Sequence, residues 1–273
     1  MKTKQLRMLV IGAHPDDCEF KAAGTAIKFR QLGHVVKFVS ATNGDTGHYE
    51  IGGGQLARIR AEEVEKSCSI AGLKYQIMDI HNNGLEADIQ TRERFITLIR
   101  EFVPDIIITH RPNDYHPDHR RTSLLVQDSS YAIIIPNVCP LTPVMPKAPV
   151  ILYMQDNFKR PYEFVPDIVV DIDDVFDIKT QMINCHKSQL YEWLPWTENQ
   201  LDQIPQGEEE RIKWLKEYML VRDGKVANRF RNQIIDKYGI EHGSNVKTAE
   251  AFEICEYGAP AEEDILNAFD SGK

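Results

Sequence analysis

Met8-Leu9-Val10-Ile11-Gly12-Ala13-His14-Pro15-Asp16-Asp17 opens with four apolar residues and closes on two carboxylates. An unbroken apolar run without alternation predicts a strand buried on both faces, as in a parallel sheet. The residues after it change period. Phe20, Ala23, Ile27 and Leu32 fall on one side of a helix over 18–32, which Gly33 stops. Val35 to Val39 is a second strand, a helix over about 55–71 is stopped by Gly72, and Tyr75 to Met78 is a short third strand. A helix over 92–102 is closed by Pro104, and Ile106-Ile107-Ile108-Thr109 is a fourth, buried strand. Strands alternating with helices of about 10–15 residues predict βαβ units. The expected fold is α/β, a Rossmann-like, mostly parallel sheet with helices on both faces.

Past Thr122 the pattern loosens. Five prolines (Pro136, Pro140, Pro143, Pro146, Pro149) precede a strand over 150–154, Ile168 to Val170 is another, and a helix over about 175–190 follows. Glu208 to Val221 is amphipathic, with acidic residues in its first turn where they complement the helix dipole. The prolines suit either a domain boundary or a loop wrapping a sheet edge. The expected organisation is a single domain over 1–273, with a core over about 5–135 and a C-terminal elaboration over about 150–273.

Composition bounds the function. The chain has 273 residues, 42% hydrophobic and 27% charged, the profile of an ordinary globular protein. Its 41 acidic against 32 basic residues give a net charge of −9, which excludes nucleic-acid binding by bulk electrostatics. The apolar run from Met8 to Ala13 is about a third of a membrane span, so neither a transmembrane helix nor an export signal is expected. Five scattered cysteines without a CxxC pair (Cys18, Cys68, Cys139, Cys185, Cys255) point to reduced thiols in the cytoplasm.

The first strand runs directly into His14-Pro15-Asp16-Asp17, and the fourth into Arg111-Pro112-Asn113-Asp114-Tyr115-His116-Pro117-Asp118-His119. In open parallel sheets ligands bind beyond the carboxyl ends of the strands, where strand order reverses. With the order 3-2-1-4, strands one and four are neighbours, and the two loops face each other across one crevice. Zinc takes imidazole nitrogen and carboxylate oxygen, and a catalytic site uses three protein ligands and an open position. His14, Asp17 and His119 supply such a set, leaving Asp16 close to the metal and His116 on the other wall. Helix capping accounts for one aspartate per loop and for none of the histidines. His34, His48, His81 and His110 read as structural or solvated. The glycine-rich loop over 43–54 reads as a surface loop on the same rim. Tyr191 to Trp196 reads as packing or subunit interface, with a sugar-stacking wall at Trp193 or Trp196 as the alternative. No GxGxxG follows the first strand, and neither a Walker A sequence nor GxSxG occurs.

The strand-HPDD-helix opening and the later HPDH resemble the PIG-L/LmbE-like de-N-acetylases, zinc enzymes that remove acetyl from N-acetylglucosamine-type substrates. The resemblance covers about Arg7 to His119, and Ala249-Glu250-Ala251-Phe252 is similar to a C-terminal segment of that family. It implies one zinc per chain on His14, Asp17 and His119, although iron and cobalt also suit such a set. It implies Asp16 as general base and His116 as the group that meets the oxyanion or protonates the departing amine. Asp118 or Asp114 is expected to orient His116 and keep it charged. Arg60, in Arg60-Ala61-Glu62-Glu63, resembles the family arginine that reaches a sugar hydroxyl, a task nearby Arg58 also suits. The implied partner is a small N-acetyl sugar, without nucleic acid or membrane, and the implied assembly is a homo-oligomer. Two other functions share these residue types. A metallophosphoesterase on sugar phosphates needs a second metal and more ligands. A non-catalytic metal- or sugar-binding protein of the same fold has no use for Asp16.

Overall fold

The computed structural model describes residues 4–269. Within them seven strands form one sheet: β1 (Arg7–Gly12), β2 (Val35–Thr42), β3 (Lys74–Ile80), β4 (Ile106–Thr109), β5 (Val150–Met154), β6 (Ile168–Asp171) and β7 (Ala249–Cys255). Their order is β3-β2-β1-β4-β5-β7-β6, so the expected 3-2-1-4 arrangement is present. The first five strands are parallel, and β7 runs antiparallel to both β5 and β6. Met8 to Ile11 of β1 pair with Ile106 to Thr109 of β4. These two strands therefore deliver their following loops side by side.

The apolar run of β1 is divided between two cores. Met8 and Val10 meet α1 (Asp17–Gln31), while Leu9 and Ile11 meet α3 (Ile89–Phe102) and α4 (Pro117–Ala132) on the opposite face. Two more helices, α2 (Gly53–Ala71) and α5 (Phe176–Asn184), join α1, with Cys68 and Met182 in the same core. A short α6 (Leu194–Thr197) leads to α7 (Glu208–Arg229), whose Leu215 and Met219 pack on Phe20 and Ile183. After α7 come α8 (Arg231–Tyr238) and α9 (Ile240–Gly243), and α10 (Glu263–Ala268) follows β7. The five cysteines are free thiols. Among the described residues no helix is long and apolar enough to cross a membrane.

Three elements differ from expectation, each for a local reason. The helix expected over 175–190 ends at Asn184, and a π-helical turn takes over at Gln189–Trp193. Between them His186 turns inward, its Nε2 3.0 Å from Glu19 Oε1, and Ser188 donates its N–H and hydroxyl to Glu63 at 2.7 Å each. Strand β7 escapes a hydrophobic-pattern reading because Glu250 lies inside it. That buried carboxylate accepts from Gly24 N, Thr25 N, Thr25 Oγ1 and Lys179 Nζ, so its lone pairs are filled. Helix α4 begins one residue after His116, with Pro117 in its first turn, and continues well past Thr122.

The proline-rich segment is fastened to the sheet layer by one side chain. Arg100 of α3 is buried and donates to six carbonyls: Ala132, Ile133, Ile135, Val138, Cys139 and Thr142. It thereby satisfies oxygens at the C-terminal end of α4, which the helix itself leaves open. Stranding a buried polar group costs about 1–3 kcal/mol. Arg100→Leu is therefore expected to lower unfolding free energy by about 3 kcal/mol or more, read as a lower urea midpoint. A midpoint unchanged from wild type would show that water replaces the guanidinium without loss.

Candidate active site

The first loop is set by a close approach. A Cβ on Gly12 would lie 2.7 Å from Asp17 Cβ, so glycine is required for the Asp17 carboxylate to fold back against the end of β1. There Asp17 Oδ2 accepts from Ala13 N at 3.0 Å and His14 N at 2.7 Å. From β4 the chain enters buried His110 and reaches His116, which caps α4 by accepting from Asp118 N at 3.1 Å through Nδ1. His119 follows in the first turn of α4 and completes the crevice.

His14 Nδ1 and His119 Nε2 face each other at 3.1 Å. Asp17 Oδ2 is 3.4 Å from the first, and Asp17 Oδ1 is 3.4 Å from the second. Ligands bonded at 2.0–2.1 Å in a tetrahedron stand about 3.3 Å apart, so this trio has the spacing a small divalent ion demands. The outer ring nitrogens are held as in metal sites. His14 Nε2 lies 3.3 Å from Asp118 Oδ2, and His119 Nδ1 lies 2.9 Å from Asp114 Oδ1. Burial opposes charge on His119, yet Asp17 and the Asp114 hydrogen bond carry its pKa up to about 10, the mark of a place built for a cation. Among the described residues, two overlapping sets bring ligand atoms within 4.8 Å: His14, His116 and His119, and Asp17, His110 and His119. Both share His119.

Asp16 stands beside this cluster without joining it. It makes no side-chain cap to α1, and its Oδ2 lies 3.4 Å from Arg60 Nη2. Burial raises its pKa, Arg60 opposes that shift, and Asp17 adds to it. Its backbone has φ +156°, an uncommon conformation for a residue with a side chain and one that recurs at functional sites. Across the crevice, the His116 and His14 ring centroids are 4.4 Å apart.

A family model described as GlcNAc-PI de-N-acetylase, PIG-L, matches residues 9–130, the segment that carries both loops. Over that segment the chain is similar to the PIG-L de-N-acetylases. Among similar proteins, the diacetylchitobiose deacetylase of Thermococcus kodakarensis is 29% identical over 198 residues, 70% of this chain and 73% of that protein. The 4-oxalmesaconate hydratase of Pseudomonas putida is 25% identical over 205 residues, 72% of this chain and 79% of that one. The N,N'-diacetylchitobiose deacetylase structure from Pyrococcus horikoshii superposes with a TM-score of 0.70 at 24% identity, over 92% of this chain and 84% of its own. That last likeness is one of fold.

Against the PIG-L pattern, three assignments change. Arg60 does not reach outward. It is 1% exposed, donates Nη2 to Pro15 O, and lies 3.9 Å from Glu63 and 3.4 Å from Asp16. Its register on α2 turns it beneath the HPDD loop, where it braces Asp16, while Arg58 is exposed. Neither Asp118 nor Asp114 orients the His116 ring through a carboxylate. Asp118 is turned to His14 and to Asn83 N at 2.7 Å, and Asp114 to His119 and to His116 N. Nor is His116 kept charged: burial, His14 and His119 together draw its pKa down to about 4. With Nδ1 occupied as an acceptor, the neutral ring carries its proton on Nε2.

Two contributors are hard to see in the sequence. His110 stacks on His119 with centroids 4.0 Å apart, and its Nε2 lies 3.2 Å from Asp17 Oδ2. Its place directly after a buried strand was the available signal. Asn83, in the loop after β3, holds Asp118 with its backbone at φ +63°.

The glycine-rich loop is tied down. Asp45 accepts from Asn82 N and lies 2.7 Å from His81 Nδ1, and His48 Nε2 is 2.9 Å from Glu192. Tyr49 is stacked between His48 and Trp196, and Trp196 in turn on Trp193. This aromatic column clasps the loop to the C-terminal segment, and Tyr49 and Trp196 within it remain exposed.

Proposed function

We propose that this protein is a metal-dependent hydrolase that removes the acetyl group from an N-acetylglucosamine-type sugar or glycoconjugate. The observation that carries the reading is the pair of imidazole nitrogens 3.1 Å apart beside Asp17, with Asp16 next to them and free of ligand or capping duty. His14, Asp17 and His119 would hold the ion, with zinc the best match to the donor set. When bound, such an ion lowers the pKa of water from 15.7 to about 7 and polarises the acetamide carbonyl.

The remaining steps belong to side chains. Asp16, its pKa raised by burial, takes the proton from the attacking water. Arg60 holds that carboxylate in place from below. As the acetyl carbon becomes tetrahedral, His116 Nε2–H donates to the oxygen that gains charge. Asp16 returns its proton to the nitrogen as the C–N bond breaks, leaving acetate and a free amine. A phosphoesterase reading lacks support, since the two ligand sets overlap on His119 and include one carboxylate between them.

Free amine released from N-acetylglucosamine, diacetylchitobiose and simple N-acetylglucosaminides tests the reading. Amine and acetate are expected in equal amounts, lost on chelation and restored by zinc. No amine from any of them, together with hydration of 4-oxalmesaconate, would overturn it in favour of water addition to a carbon–carbon double bond.

A further inference from the structure

Glu63 of α2 is a buried carboxylate one helical turn beyond Arg60, on the same face of the helix. Its Oε2 stands 3.9 Å from Arg60 Nε, too far for a hydrogen bond, and that nitrogen has no acceptor among the described residues. A buried guanidinium with an unmet N–H and a carboxylate this near should close the gap, since an unpaired charged donor is costly. The gap stays open because the carboxylate is held from its other side. Ser188 donates its hydroxyl to Oε2, the oxygen that faces Arg60, and its N–H to Oε1, each at 2.7 Å. The guanidinium is thus left to the HPDD loop, where Nη2 donates to Pro15 O and lies 3.4 Å from Asp16 Oδ2. Asp16 and Glu63 face one cation from two sides, and Ser188 decides between them.

His186 fixes the backbone that delivers Ser188. Its fully buried ring meets Glu19 Oε1, which also accepts from Ser67 Oγ at 2.9 Å, and His186 O accepts from Leu190 N at 2.8 Å. A continuous helix over these residues would commit the Ser188 N–H to its own ladder. The break between α5 and the π-helical turn releases that N–H to a carboxylate 125 residues away in the chain.

We infer that Ser188 is a positioning residue for the general base: by holding Glu63 off Arg60, it keeps the guanidinium under Asp16. The inference rests on the deacetylase reading and extends its machinery to the C-terminal half of the chain. Ser188 acts through two other side chains, so its contribution to the rate exists only while Asp16 moves a proton.

The test compares kcat and KM on an N-acetylglucosaminide for wild type, Ser188→Ala, Asp16→Asn and the double variant. Loss of the hydroxyl frees Oε2 to draw in Arg60 Nε and take the guanidinium from Asp16. Ser188→Ala is expected to lower kcat about tenfold to a hundredfold, the cost of a misplacement of about an ångström, with KM and metal content unchanged. In the Asp16→Asn background the same substitution is expected to change kcat by less than about twofold, because the step it serves is gone. Ser188→Thr keeps the hydroxyl and recovers most of the wild-type kcat. If Ser188→Ala fails to fold, Ser188→Cys takes its place, with a side chain of similar size and a weaker donor, and the same pattern is expected. An equal fold-loss in both backgrounds assigns Ser188 to general packing and overturns the inference. So does a Ser188→Ala kcat within about twofold of wild type, or a loss of metal along with activity. In each of those cases wild type still releases amine, and the deacetylase reading stands. If wild type releases no amine from any N-acetylglucosaminide, that reading fails and the inference falls with it.

Discussion

Asp16→Asn lowers kcat on an N-acetylglucosaminide by about 10²–10⁴-fold, the range a positioned general base contributes, while metal content stays at the wild-type level. The two readouts separate because Asp16 lies outside the ligand set. Its one close polar partner among the described residues is Arg60, 3.4 Å away. Asparagine keeps the size of the side chain and tolerates a positive φ better than most residues, so the loop should keep its course at the +156° position. What it loses is the ability to accept a proton and return it to nitrogen. A variant within tenfold of wild type, with its metal intact, would remove Asp16 from the mechanism and reopen the non-catalytic reading.

His119→Ala gives the opposite pattern, in which metal and activity disappear together. Its Nε2 is 3.1 Å from His14 Nδ1 and 3.4 Å from Asp17 Oδ1, and its other nitrogen anchors Asp114. Alanine leaves one nitrogen and one carboxylate, too few to hold an ion against dilution. Without it the several kcal/mol of Lewis-acid stabilisation is forfeited, and kcat is expected to fall about 10⁴-fold or more. Asp114→Asn provides the graded control, since loss of an outer carboxylate partner costs about 10–100-fold in metal affinity. Metal analysis on protein without a polyhistidine tag reads all three. Full metal retention by His119→Ala would move the ion to other donors.

The meeting of the HPDD and HPDH loops was legible because it depends on strand order and on side-chain type, both of which leave marks in sequence. Unalternating runs such as Ile106 to Thr109 announce buried parallel strands, and two adjacent strands must release their loops together. What the sequence concealed depends on direction. Arg60 looks like any helix arginine until the register of α2 turns it under Pro15. Asp114 and Asp118 flank His116 in the chain, but the turn into α4 aims them at His119 and His14 instead. Strand β7 was hidden by Glu250, whose charge suggests a surface until Lys179 and the N–H groups of α1 are found around it. The helix expected over 175–190 failed for a related reason: His186 has a buried carboxylate to meet.

The antiparallel β7 also bears on the order in which the chain is made. Strands β1 to β5 can assemble as they leave the ribosome, each beside a neighbour already synthesised. Strand β6 emerges without one, because the strand that separates it from β5 lies nearly eighty residues downstream. Until Ala249–Cys255 arrives, the nascent chain presents two open edges, and Lys179 lacks one of its two carboxylates. Open edges of this kind invite pairing with other chains. The interval between the emergence of β5 and that of β7 is therefore the stretch of biosynthesis in which the edge of β5 stays open to other chains.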